Sequence, residues 1–143
     1  MTSRSIRVVA AVIQNDGKYL ITQRRENASL PLLWEFPGGR VESGESDAEA
    51  LQRELKERLG VGVEVGKPVA FRRHDYEGYS VELVLYEAAL VSSDDPQAMR
   101  VKDFRWVAVD EFSQYPFPPA DKGTLDDFQV FVSSQNPKKL PKA

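Results

Sequence analysis

The chain has 143 residues, of which 41% are hydrophobic and 29% charged, and it carries a formal net charge of -3. These values are typical of one globular domain with a hydrophobic core, and they argue against a general DNA or membrane-surface binder. The sequence has no cysteine for disulfides or thiolate metal sites, no apolar run near the roughly 20 residues that span a bilayer and no secretory cleavage pattern, so we expect a cytoplasmic protein.

The first half of the chain begins with a predicted β-hairpin. The β-branched apolar run of residues 6–13 predicts a buried strand, and the following Asn-Asp-Gly, residues 15–17, is typical of a tight hairpin turn. The sequence KYLITQR, residues 18–24, predicts the partner strand. After a polar loop, the short apolar segment LWEFPGG ends at a proline and two glycines.

Residues 46–60, SDAEALQRELKERLG, contain the clearest helix signal in the chain. Ser46 is a favourable N-cap, and Glu49 three residues later completes a capping box. Gly60 is placed to end the helix, because glycine adopts the left-handed conformation of a C-terminal cap at little cost. One apolar stripe at helical spacing is predicted to face the core: Ala48, Leu51, Leu55 and Leu59.

The second half alternates predicted strands with polar or proline-rich connections. Strands are predicted over residues 61–76, 79–91 and 104–109. An irregular segment, residues 110–121, contains three prolines and precedes a helix predicted through residues 124–132. Since no repeat or linker interrupts the pattern, we predict a single domain over residues 1–136 and a frayed tail at residues 137–143.

Two acidic residues of the predicted helix, Glu54 and Glu57, lie three positions apart and therefore project from the same side. They flank the apolar stripe, which predicts that they lie at the rim of a cleft. Paired carboxylates near a backbone carbonyl suit a hard cation such as Mg²⁺, and such a cation can polarise a phosphoryl oxygen and activate water. A merely solvated helix face is the alternative, and the nearby glycines, Glu45 and Arg53 favour a functional site.

Eight residues around this helix match, spacing for spacing, the signature of the Nudix hydrolase family: Gly39, Glu45, Arg53, Glu54, Leu55, Glu57, Gly60 and Val61. The segment WEFPGG before them resembles the MutT-like and CTP pyrophosphohydrolase branch, which cleanses the nucleotide pool, and residues 114–121 resemble its base-contacting segment. The resemblance runs from about Ile6 to the final helix. It implies an α/β fold, the Nudix fold, in which an α/β/α sandwich surrounds a mixed β-sheet.

The resemblance also implies hydrolysis of a nucleoside diphosphate linked to another group, with Mg²⁺ or Mn²⁺ as cofactor. It implies that Glu54 orients or deprotonates the attacking water, and that Arg53 pairs with Glu45 to hold the loop against the helix. The metal ligands that it implies are Glu54, Glu57 and the backbone carbonyl of Gly38 or Gly39.

The implied substrate-binding residues are spread along the chain. Arg24 occupies a phosphate- or base-contacting place, and the residues expected to line the base pocket are Glu35, Phe36 and Asp121. A carboxylate at Asp121 accepts hydrogen bonds from an exocyclic amine or ring N–H, and donates one when protonated, which suits cytosine, adenine or oxidised guanine. The alternatives are a solvated strand end for Arg24, core packing for Phe36 and an N-cap of the last helix for Asp121.

The chain departs from the family signature at Arg58, where the family has a second adjacent metal-binding glutamate. An alignment on Trp106 places Arg100 at another metal-binding glutamate position. Two interpretations stay open. Arg58 can pair with Glu54 at the favoured i,i+4 spacing and hold it away from a metal. Alternatively, Arg58 and Arg100 can bind phosphates directly through their guanidinium groups.

The sequence thus predicts a Nudix-type pyrophosphohydrolase that acts on a nucleoside triphosphate with an ordinary or oxidised base. The alternative is a nucleotide- or base-binding module of the same fold, in which Arg58 and Arg100 have weakened or abolished catalysis. A lesser alternative is removal of pyrophosphate from an RNA 5′ end, whose phosphates Arg72 and Arg73 would attract. The expected partner is a nucleotide, with no membrane or DNA binding, and the expected state is a monomer or homodimer.

Overall fold

Residues 4–91 and 95–135, which the computed structural model describes, form seven strands, two α-helices and two short 3-10 helices. The strands are β1 (Arg4–Asn15), β2 (Lys18–Gln23), β3 (Trp34–Glu35), β4 (Gly38–Arg40), β5 (Val63–Tyr76), β6 (Tyr79–Leu90) and β7 (Asp103–Val107). The helices are α1 (Asp47–Leu59) and α2 (Lys122–Gln135). The 3-10 helices are Val109–Gln114 and Pro119–Asp121. They lie in the segment predicted to be irregular, except for Val109, which was predicted to end a strand. The predicted frayed tail, residues 137–143, lies outside the described residues.

The strands belong to one mixed sheet, whose main order is β3-β2-β1-β6-β5, with β4 beside β1 and β7 beside β2. β1 runs parallel to β6, whereas the other pairings are antiparallel. At the first hairpin, Asp16 and Gly17 have φ values of 52° and 77°. Two successive positive φ values are typical of a type I′ turn, which confirms the turn predicted from Asn-Asp-Gly.

Each face of the sheet carries its own hydrophobic core, because successive side chains of a strand point to opposite faces. From β1, Val9 and Ala11 pack with the buried residues of α1, while Ala10 and Val12 pack with the 3-10 helices and with Phe128 of α2. The sheet therefore lies between two helical layers, which confirms the predicted α/β/α sandwich. No helix in the described ranges is both long and apolar enough to cross a membrane.

The caps of α1 confirm the predicted helix boundaries. The Ser46 hydroxyl accepts a hydrogen bond from the Glu49 backbone N–H at 3.1 Å, and the Glu49 carboxylate accepts one from the Ser46 N–H at 2.9 Å. Gly60 ends the helix with a φ of 69°. The predicted apolar stripe was wrong at one position: Ala48 is half-buried and Ala50 fully buried. Ala50 lies one turn before buried Glu54, on the side of the helix that faces the sheet.

The N-terminus of α1 is fixed to the sheet through Asp47. Arg7 of β1 donates two hydrogen bonds to the Asp47 carboxylate, both at 2.7 Å, and the Tyr86 hydroxyl of β6 donates a third at 2.5 Å. The hydrogen bond from Arg7 is the main reason that the pKa of Asp47 is lowered. These bonds hold the helix in one place relative to the strands that form the site.

Candidate active site

Arg53 joins the loop before α1 to the helix. Its guanidinium donates to both carboxylate oxygens of Glu45, at 2.7 and 3.0 Å, and to the Arg40 carbonyl at 2.9 Å. The hydrogen bond from Arg53 lowers the pKa of Glu45, and the same bond raises the pKa of Arg53. The contact between Arg53 and Glu45 expected from the sequence is therefore present, and its role in catalysis stays a prediction.

The Glu54 carboxylate, in a residue only 8% exposed, accepts hydrogen bonds from arginines at both of its oxygens. The Arg53 Nη1 lies 2.8 Å from Oε1, and the Arg58 Nε lies 2.6 Å from Oε2. Glu57 is more exposed, and guanidinium nitrogens of Arg53 and Arg100 lie 3.5 and 3.7 Å from its carboxylate. The structure thus shows the i,i+4 pairing of Arg58 with Glu54 that the sequence allowed.

The segment before β7 brings Arg100 to this end of α1. The last carbonyls of a helix have no partner within the helix. Here the Arg58 carbonyl accepts from the backbone N–H groups of Met99 and Arg100, at 3.0 and 3.1 Å, and the Leu59 carbonyl accepts from that of Gln97 at 2.9 Å. These bonds complete the helix end and bring together two arginines that are far apart in the sequence.

The glycine pair before α1 is packed against the protein's own atoms. The sequence predicts that Gly38 and Gly39 let the backbone approach a metal or phosphate. In the structure, a methyl group at Gly39 would overlap the Glu54 carboxylate, and one at Gly38 would overlap the Val9 carbonyl. The glycines therefore let β4 lie close to β1 and α1, and the role of their carbonyls in a metal shell stays a prediction.

The carboxylates of Glu54 and Glu57 have the oxygen donors that a hard cation prefers, but in this arrangement their surroundings do not fit one. Guanidinium groups of Arg53, Arg58 and Arg100 lie within 4 Å of these two carboxylates, so positive charge already occupies the place that a cation would take. Within residues 4–91 and 95–135, no three Asp, Glu or His side chains are placed to hold a metal ion. The metal-ligand roles of Glu54 and Glu57 stay predictions.

A pocket of about 420 Å³ lies beside this cluster. Its lining includes Gly38, Gly39 and all the side chains predicted to contact substrate: Arg24, Glu35, Phe36, Arg58 and Asp121. Neither Glu54 nor Glu57 is among the residues that line it, and their expected position at a cleft rim stays a prediction. Arg58 and Arg100, which contact those carboxylates, line the pocket instead, because Glu54 is buried beneath Gly39.

Two carboxyl groups of the pocket, those of Glu35 and Asp121, have raised pKa values. Burial raises the pKa of Asp121 to about 6, the Glu35 charge adds to this effect, and Arg24 opposes it. Burial also raises the pKa of Glu35, although Arg24 pairs with it at 2.9 Å. Asp121 can therefore either accept or donate a hydrogen bond at a pH close to neutrality.

For Arg24, Phe36 and Asp121 the sequence also allowed purely structural roles, and the structure treats each of these roles differently. Arg24 is not a solvated strand end, because it donates to Glu35 and, at 2.7 Å, to the Ser29 carbonyl. Phe36 is 6% exposed and packs on other aromatic rings of the core, yet it also lines the pocket. The Asp121 side chain makes no hydrogen bond within the described part of the chain, and α2 begins without its help.

Sequence reasoning missed several pocket-lining residues: Arg25, Arg40, Tyr76 and Phe117. A signal existed for two of them, since Arg40 directly follows the glycine pair and Phe117 lies in the proline-rich segment that resembles a base-contacting region. Arg25 and Tyr76 carried no such signal, because only the tertiary structure brings the loop after β2 and the end of β5 to the same pocket.

Known proteins resemble this chain in sequence and in fold. A family model described as a NUDIX domain matches residues 8–127. The CTP pyrophosphohydrolase of Escherichia coli (strain K12) is 37% identical over 136 residues, which cover 92% of this chain and 97% of that protein. The 8-oxo-dGTP diphosphatase of Haemophilus influenzae is 32% identical over 124 residues, 85% of this chain and 89% of that one. The solution structure of the E. coli ORF135 protein has a TM-score of 0.80 and 36% identity, covering 93% of this chain and 94% of that chain.

The three-layer fold and the Glu-Arg cluster of α1 beside a nucleotide-sized pocket define the class of protein as a Nudix-type hydrolase fold. The match over residues 8–127 and the relatives above 30% identity show that the chain belongs to the Nudix family. Hydrolases of this family generally use a divalent metal ion.

Proposed function

We propose that this chain is a pyrophosphohydrolase that cleaves a nucleoside triphosphate. The observation that carries the proposal is one pocket with two chemically different parts, lined by Phe36, Glu35 and Asp121 for a base and by arginines for phosphates. The relatives named above are described as acting on CTP and on 8-oxo-dGTP. Both molecules combine a hydrogen-bonding base edge with a triphosphate tail, which these two parts would accommodate.

The base would lie between apolar and acidic side chains. Phe36 and Phe117, whose ring centroids are 5.7 Å apart, form part of the apolar wall. Glu35 and Asp121 offer carboxyl groups for an exocyclic amine or a ring N–H. Cytosine, adenine and oxidised guanine all present such groups, so a nucleotide panel must include all three.

The cofactor that the family resemblance favours is Mg²⁺, with Mn²⁺ as a substitute. Glu54, Glu57 and a carbonyl of Gly38 or Gly39 would hold it, and Glu45 and Arg53 would position the loop and helix. Because arginines now contact both carboxylates, an ion at this place requires those guanidinium groups to move. We further propose one domain over residues 1–136, a cytoplasmic location, and a monomer or homodimer as the working state.

A nucleotide panel tests the proposed activity. The purified chain is incubated with CTP, dATP and 8-oxo-dGTP, each with Mg²⁺ or Mn²⁺, and released phosphate and pyrophosphate are measured. We expect metal-dependent release from at least one nucleotide and its loss in Glu54→Gln. Glu64→Gln, an exposed glutamate of β5 outside the pocket, is the matched control. Failure to cleave any nucleotide with either metal would reject the activity.

A nucleotide-binding module without catalysis is the second candidate. The observation that favours it is that both oxygens of Glu54 are already engaged by arginines. This candidate predicts nucleotide binding that is indifferent to a chelator, without cleavage, and metal-dependent cleavage would exclude it. The RNA alternative stays a prediction: Arg72 donates two hydrogen bonds at 2.8 Å to Asp127 of α2, which gives that arginine a structural role.

A further inference from the structure

The pocket is a positively charged region of a protein whose formal net charge is -3. Five arginines and two acidic residues line it: Arg24, Arg25, Arg40, Arg58 and Arg100, with Glu35 and Asp121. A cleft lined by charges of one sign concentrates ligands of the opposite sign, because its low-dielectric walls focus the field. The pocket is therefore suited to an anion, although the chain as a whole would repel one.

Two of these arginines keep most of their hydrogen-bond donors for a ligand. Arg58 uses Nε to bind Glu54 at 2.6 Å, and its terminal nitrogens make no hydrogen bond to any other described residue. The Arg100 side chain is 67% exposed and comes no closer than 3.7 Å to the Glu57 carboxylate. A guanidinium group presents its N–H donors in a planar fork that matches phosphate geometry.

The backbone holds the two arginines next to each other before any ligand binds. The Arg100 N–H donates to the Arg58 carbonyl at 3.1 Å, so their backbones are in direct contact. The Arg58 side chain is held by Glu54, which is in turn held by Arg53. Groups that are ordered in advance lose less conformational entropy on binding, so the Arg58 side chain is preorganised for an anion, and the backbone contact keeps Arg100 next to it.

We infer that Arg58 and Arg100 form a binding site for the phosphate tail of a nucleoside triphosphate that works without a divalent ion. Their guanidinium groups supply positive charge beside Glu54 and Glu57, where an ion would otherwise have to supply it. The inference rests on the proposed function for the class of ligand, and it concerns binding and not cleavage.

Calorimetry in the presence of EDTA tests the inference, with inorganic tripolyphosphate and CTP as probes. We expect the parent protein to bind tripolyphosphate without metal, and Arg58→Gln and Arg100→Gln each to weaken binding about tenfold, since each removes a charge-assisted hydrogen bond. Lys56→Gln is the matched control, because it removes one positive charge from the last turn of the same helix, on an exposed residue outside the pocket. Its affinity should equal that of the parent.

If Arg58→Gln does not fold, Arg58→Lys provides a second test, because it keeps the positive charge and removes the planar guanidinium donors. We expect Arg58→Lys to bind tripolyphosphate more weakly than the parent. Absence of tripolyphosphate binding in EDTA, or parent-like affinity in Arg58→Lys and Arg100→Gln, would overturn the inference. The proposed activity is tested separately by the nucleotide panel. If the protein binds tripolyphosphate in EDTA and cleaves no nucleotide, the phosphate site is supported and the proposed activity is rejected. If it cleaves a nucleotide with metal but does not bind tripolyphosphate in EDTA, the activity is supported and the phosphate site is rejected.

Discussion

Arg58 places a positive charge beside Glu54, where the family signature has a carboxylate, and its guanidinium Nε lies 2.6 Å from the Glu54 carboxylate. Two unit charges about 4 Å apart interact by about 4 kcal/mol at an effective dielectric constant near 20. A positive side chain there repels a divalent ion that a carboxylate would attract, so the residue identity outweighs smaller local effects such as the i,i+4 pairing, worth roughly 0.2–0.5 kcal/mol on an exposed helix.

Arg58→Glu should therefore raise the affinity for Mn²⁺ and the rate of any nucleotide cleavage. Electron paramagnetic resonance of free Mn²⁺ measures the first quantity, and the nucleotide panel measures the second. Lys56→Glu makes the same charge reversal on an exposed residue of the same helix and should change neither. A variant that binds Mn²⁺ no better than the parent, or cleaves more slowly, would show that Arg58 belongs to an altered mechanism.

Asp121 predicts a pH dependence of stability. Its pKa rises from the ordinary value of 3.8 for an aspartate to about 6 in the fold, so between these values the folded protein binds more protons than the unfolded chain. The contribution of Asp121 to the free energy of unfolding therefore decreases as the pH rises through this range. The same sign holds for Glu35, whose pKa is also raised, while Arg24 opposes both shifts.

Asp121→Asn should remove the contribution of Asp121 to the decrease in the free energy of unfolding with rising pH. Urea unfolding at about pH 4.5 and about pH 7 measures it, and the variant should gain stability relative to the parent at the higher pH. Asp126→Asn, an exposed residue of α2, serves as the control. Equal pH dependence in the parent and in Asp121→Asn would contradict the raised pKa.

At the scale of elements, α1 carries Glu54, Glu57 and Arg58, so its boundaries determine where the site lies. The Ser46–Glu49 capping box begins the helix, and the bonds from Arg7 and Tyr86 to Asp47 fix that end to the sheet. At the other end, the segment with Arg100 binds the final carbonyls. Both ends of the helix are thus held by groups outside it.

Ser46→Ala should lower the free energy of unfolding by about 1 kcal/mol, because it removes the side-chain acceptor of an N-cap. Urea denaturation measures the loss. Ser43→Ala is the matched control, since Ser43 is exposed in the preceding loop and its hydroxyl makes no hydrogen bond to the described residues. A loss as large in the control as in Ser46→Ala would argue against the cap as the cause.

At the scale of the whole molecule, α2 closes the second core and supports the pocket. Phe128 is fully buried and packs against Tyr19, Phe36 and Phe112, with ring centroids 4.9 to 5.1 Å apart. Phe36 in turn lines the pocket. The packing of the final helix therefore extends directly to the residues expected to contact a base.

Phe128→Ala should destabilise the fold by about 3–5 kcal/mol, because it leaves a cavity in a close-packed core. It should also weaken CTP binding in conditions where the protein remains folded. Val130→Ala on the same helix is the control, since Val130 is 70% exposed and surface changes are usually within about 0.5 kcal/mol. A loss below about 1 kcal/mol in Phe128→Ala would show that α2 is not part of the cooperative core.

The sequence by itself determined the features that depend on near neighbours. The turn at Asp16 and Gly17, the capping box of Ser46 and Glu49, and the helix end at Gly60 each act over a few residues, so their patterns were sufficient. The family signature likewise lies within one short stretch of chain, and it predicted the α/β/α fold.

Only the tertiary structure decided which side chains meet across distant elements. Burial of Glu54 beneath Gly39, the placement of Arg100 on the carbonyl end of α1, and the burial of Ala50 instead of Ala48 depend on how the layers pack. The pocket that collects arginines from the loop after β2, β4, α1 and the segment before β7 depends on the same packing. Such contacts join residues far apart in the sequence. Helical or strand periodicity indicates which face of an element is apolar, and it does not indicate which distant residues pack there.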